Sequence, residues 1–154
     1  MTSSPKIVTL AVIFLTAALT FGAVPLLRGT LHYPVLTMTV GDVLHLGFVR
    51  YGAIASTACE ARLASLADTL RKNCPACRIT QRRCVTDLSP ELLRALSTEP
   101  LDTPSARLPD GVVTYASATP GLALGSCQES ERQSARATAG QRVRCFAAGT
   151  QRPR

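Results

Sequence analysis

Apolar and polar positions divide this chain into one unbroken apolar run and a longer stretch of short elements. From Ile7 to Leu27 there is no charged residue, with Lys6 before the run and Arg28 after it. At about 1.5 Å per residue, a helix over this run would cross a hydrocarbon layer of about 30 Å. A cleaved secretory signal has a shorter apolar region and a small-x-small cleavage site. Here Phe21-Gly22-Ala23 puts a ring where a small side chain is wanted. The pattern predicts an uncleaved signal anchor over residues 1–28, a single transmembrane helix, and a separate domain over residues 29–154. Lys6 favours an N-terminus inside, and Arg28 on the far flank weakens that bias.

Downstream the period shortens. Val35 to Val40 is a strand, Gly41-Asp42 a turn, and Val43 to Val49 a second buried strand or a membrane-proximal apolar segment. A second membrane pass over Val35 to Ala58 is the rival reading, interrupted by Asp42, His45 and Arg50. Tyr51 to Lys72 carries Ala58, Arg62, Leu66 and Leu70 near the helical period, with Ala55, Cys59 and Leu63 beside that stripe. Arg71-Lys72 and then Asn73 are its stop signals. Arg78 to Val85 has no helical stripe and is read as extended. Ser89-Pro90-Glu91 opens a helix with a hydroxyl cap and a first-position proline, and Leu92, Leu93 and Leu96 form its apolar face.

Glu99 to Ala106 is read as loop. Arg107 to Tyr115 is a hairpin turning at Pro-Asp-Gly. Thr119-Pro120 opens a last helix through Leu122, Leu124 and Cys127 to about Arg136. Arg142 to Ala147 closes as a strand, followed by a basic tail from Gln151 to Arg154. The order of strands and helices predicts an α+β fold, a two-layer sandwich with helices on one face of a mostly antiparallel sheet.

Composition changes this picture in two places. Aromatic residues are 5% of the chain, with no Trp, so the core must rest on Leu, Val and Ala. Lys and Arg outnumber Asp and Glu by 17 to 10, for a net charge of +7 spread along the chain. That excess suits another envelope protein or an anionic glycan or lipid, and equally a solvated surface. The exported location and scarce aromatics argue against nucleic acid.

Six cysteines supply the candidate chemistry. Cys74, Cys77 and Cys84 crowd Asn73 to Cys84, while Cys59, Cys127 and Cys145 lie outside it. In an oxidising compartment an even count means disulfides. Cys127 and Cys145 are expected to pair, the last helix returning to the last strand through Ala139-Gly140. Partners among Cys59, Cys74, Cys77 and Cys84 stay open. Cys74-Pro75-Ala76-Cys77 is also a candidate redox pair, although a catalytic dithiol normally starts a helix rather than following one. A zinc site of Cys74, Cys77 and Cys84, with Cys59, His45, Cys127 or Cys145 as fourth ligand, is the third reading.

No hydrolase, phosphate-loop or metalloprotease pattern is present. His32 is read as an interface residue beside the anchor, and His45 as a hydrogen-bonded core or boundary residue. No catalytic or cofactor-binding residues are nominated. The expectation is a single-pass protein of the inner (plasma) membrane, held by Ile7 to Leu27 with its bulk extracytoplasmic. It is expected to act as a non-enzymatic accessory, binding or assembly module. The alternatives are a tethered thiol–disulfide oxidoreductase and a zinc-stabilised interaction domain.

Overall fold

In the computed structural model the described residues are 29–136 and 143–151. Three apolar strand pairs decide the architecture. Val35 and Leu36, Phe48 and Val49, and Val112 and Val113 are neighbours along their strands, so each strand is apolar on both sides. A sheet built from them must be covered on both faces.

The elements are β1 (Leu31–Val40), β2 (Leu44–Arg50), β3 (Ile54–Ala55), α1 (Ser56–Asn73), β4 (Cys77–Val85), α2 (Pro90–Leu96), β5 (Ser105–Leu108), β6 (Gly111–Ala116), α3 (Leu122–Arg136) and β7 (Arg144–Phe146). The sheet runs β4-β1-β2-β6-β5-β7, with β3 on the start of β1, and every pairing is antiparallel. One row of facing residues crosses it from Arg82 through Leu36, Phe48, Val113 and Ala106 to Cys145. The adjacent row, Arg83-Val35-Val49-Val112-Arg107-Arg144, points to the other face.

On the first face α1 seats Cys59 and Leu63 against Leu36, Met38 and Phe48, and α3 seats Cys127 against Ala106 and Tyr115. On the second, α2 brings Ala95 against Val35, Val49 and Val112. The α+β class with an antiparallel sheet therefore stands, but the helices cover both faces instead of one. The doubly apolar central strands are the physical reason.

Several local expectations are corrected. The long helix starts at Ser56, because Gly52 takes φ 70° and Ile54–Ala55 pairs with Leu31 and His32. Its buried stripe is Cys59, Leu63 and Ala67, and Arg62 is exposed. Leu93 of α2 is 55% exposed, leaving Ala95 as that helix's buried residue. β5 starts at Ser105, within the stretch read as loop, and both Ser105 and Ala106 are buried. Residues 35–40 and 44–50 are paired strands, which removes the second membrane pass. Among the described residues no helix is long and apolar enough to cross a membrane. The anchor over Ile7–Leu27, the reversal at Ala139-Gly140, Arg142 and the end of the basic tail lie outside the described residues.

The turns follow from their residues. Ser89 caps α2 by accepting from the Leu92 amide at 3.3 Å. Leu108 faces Gly111, so Pro109-Asp110 is a two-residue turn. A Cβ on Gly111 would lie 2.5 Å from the Val49 carbonyl oxygen and 2.6 Å from the Phe48 ring, so only glycine lets β6 approach β2 here.

Candidate functional site

β4 and β7 are the two edges of the sheet, and a disulfide ties one helix to each. Cys59 on α1 bonds Cys84 on β4, with Cα atoms 6.0 Å apart. Cys127 on α3 bonds Cys145 on β7, with Cα atoms 5.6 Å apart. Cys59 and Cys127 are fully buried, and Cys84 and Cys145 are half-buried. Both staples lie on the same face, because Cys145 shares a row with Leu36 and Cys84 lies two residues from Arg82 in that row.

α1 packs over β1 and β2 and α3 over β5 and β6, so Leu36, Met38 and Phe48 are buried beneath α1. Between the two helices runs a groove of about 720 Å³. Half-buried Val113 and the buried Leu36, Met38 and Phe48 lie at its bottom, Leu66 and Leu70 of α1 form one wall, and Ser134 and Val143 the other. Arg62 of α1 reaches the turn and donates to the Asp110 carboxylate, and both residues line the groove. Ser65, Thr69 and Ser134 also line it. An apolar floor under a hydroxyl-bearing rim suits an occupant that is apolar on one side and polar on the other.

The wall on the α3 side rests on few polar contacts. Tyr115 and Ser130 share a 3.1 Å hydrogen bond, and the Ser134 hydroxyl accepts from the Val143 amide at 3.1 Å. Burial raises the Tyr115 phenol above its ordinary value, outweighing the Ser130 hydrogen bond, which lowers it.

The third disulfide joins Cys74 to Cys77, with Cα atoms 5.3 Å apart. Neither cysteine is fully buried. Cys74 is the C-cap of α1 and its amide donates to the Leu70 carbonyl at 2.8 Å. A thiolate at that position would face the negative end of the helix dipole, the reverse of the usual activated cysteine. Arg71 and Arg78 line a small hollow of about 240 Å³ beside Cys77 and act in the opposite electrostatic sense.

Strand geometry separates the proposed zinc ligands. Cys77 begins β4 and Cys84 lies near its end. At about 3.3 Å per residue that is about 23 Å, far outside one coordination sphere. All six cysteines are paired, and among the described residues no group of three or more His, Cys, Asp or Glu could hold a metal ion. His45 is exposed on β2 rather than in the core or at its boundary.

The groove residues carried no motif. Leu66 and Leu70 were visible as a helical stripe, but their facing partners on β1, β2 and β6 come together only through the sheet register. Comparison of the chain with protein-family models, with curated proteins and with solved structures gives no match.

Proposed function

We propose that this protein is a non-enzymatic binding module of the cell envelope, anchored by Ile7 to Leu27 and presenting its folded domain outside the cytoplasm. The groove between α1 and α3 is its binding surface. The observation that carries this reading is the pairing of a groove lined by half-buried Leu66, Leu70 and Val113 with a disulfide behind each of its helical walls. A concave site with fixed walls loses less conformational entropy on binding. Three disulfides support an oxidising compartment, which agrees with an N-terminus inside and the cysteines beyond the anchor.

The occupant that fits is an amphipathic segment of another envelope protein, with apolar side chains against the half-buried Leu66, Leu70 and Val113 and polar groups toward Ser65, Thr69 and Ser134. The test is site-specific photocrosslinking from Thr69 in the native membrane. A discrete protein adduct is expected, lost in Ser65→Trp, which fills the groove from an exposed position. Adducts to lipid alone, or an adduct indifferent to Ser65→Trp, would overturn the reading. Disulfide reductase turnover that disappears in Cys74→Ser would instead favour a tethered oxidoreductase.

A further inference from the structure

The two edges of the sheet differ in a way the groove does not use. β7 spans Arg144–Phe146 and offers little backbone for another strand. β4 spans Cys77–Val85, pairs only with β1 among the described residues, and exposes Thr80, Gln81, Arg82 and Arg83 in succession. A long edge strand presents unpaired amides and carbonyls that another extended chain can complete.

This edge carries one sign of charge. Between Asp68 and Asp87 there is no acidic residue, and Lys72, Arg78, Arg82 and Arg83 fall in that interval. None of these four makes an ion pair among the described residues; Arg71 is paired with Asp68. The strand is also braced at both ends, by Cys74–Cys77 at its first residue and Cys59–Cys84 next to its last. A bulge at Thr80, whose hydroxyl lies 2.9 Å from that of Thr37, leaves Gln81–Val85 as the regular part.

We propose that β4 is a docking edge, and that an extended acidic segment of a partner protein adds to it along Gln81–Val85 as a further strand. Main-chain hydrogen bonds supply the attachment and the arginines select the partner. Arg82 and Arg83 point to opposite faces of the sheet, so the matching strand carries two adjacent acids rather than an alternating pair. A second copy of the same edge would set arginine against arginine and is repelled. This surface is the outer side of β4, independent of the groove between α1 and α3.

The experiment uses the full-length protein in a neutral detergent and a labelled peptide of Val and Thr with two adjacent Glu. Fluorescence anisotropy is expected to show binding that weakens at least about tenfold when alternate peptide amides are N-methylated. That modification keeps the charge and removes the donors. Arg82→Glu with Arg83→Glu should lose the Glu peptide and gain its Lys-Lys counterpart. Equal binding of the N-methylated peptide would overturn strand addition, and failure of the charge swap would overturn the arginine assignment. Polyglucuronate binding as tightly, and at the same edge, would replace the acidic peptide with an acidic glycan.

Discussion

α1 and α3 share one face of the sheet and one kind of covalent tie, yet they are held there differently. α1 buries Cys59, Leu63 and Ala67 and half-buries Leu66 and Leu70. α3 fully buries only Cys127 and half-buries Leu122, Ala123 and Leu124. A fully buried leucine contributes about 2 kcal/mol through area removed from water. On α1 such burial stands beside the disulfide, so the helix would still have a seat without it. On α3 the buried side chain is the disulfide, so packing and crosslink are lost together. One wall of the groove is thus packed and the other is tied.

On the packed side the largest effect should come from the crosslink. Replacing Cys59 and Cys84 together with Ala removes a crosslink of sequence separation 25. The chain-entropy account puts its loss at about 3.5 kcal/mol. Denaturant unfolding should show that loss while the α1 amides stay protected in native buffer. Leu63→Ala should cost about 3 kcal/mol by emptying a fully buried site, whereas Leu124→Ala, on the thinly packed helix, should cost less than about 1 kcal/mol. Equal costs for the two leucines would break the contrast. Removing Cys74 and Cys77 together, with separation 3, should cost about 1.6 kcal/mol.

The smallest effect is electrostatic and lies under α3. The raised Tyr115 value means that the folded state favours the neutral phenol. Its contribution is complete below the ordinary value of about 10 and is lost as pH rises through the higher folded value. Tyr115→Phe should cost about 1 kcal/mol at neutral pH through the bond to Ser130 and flatten the alkaline limb of the stability profile. An unchanged limb would remove Tyr115 as its source.

What could be read from the sequence was local. Ser89-Pro90-Glu91 announced α2, and Pro109-Asp110-Gly111 announced its hairpin, because caps and turns are chosen by neighbouring residues. The placement of β4 was not legible. It lies against β1 across α1 and pairs there through a bulge at Thr80, so Cys84 meets Cys59 for reasons no short window contains. Ser105 and Ala106 looked like loop because small and polar residues surround them, but β6 and β7 bury them from both sides. The groove is a product of the same register. Its leucines were visible and its floor was not.

Hydrogen exchange by mass spectrometry on the full-length protein, with and without the Cys127–Cys145 bond, tests the difference between the two walls most directly. With Cys127 and Cys145 both changed to Ala, amides across Leu122–Arg136 should lose most of their protection, while those across Ser56–Asn73 keep theirs. If α3 stays as protected as in the disulfide-bonded protein, packing holds it after all, and the account of a packed wall facing a tied one is wrong.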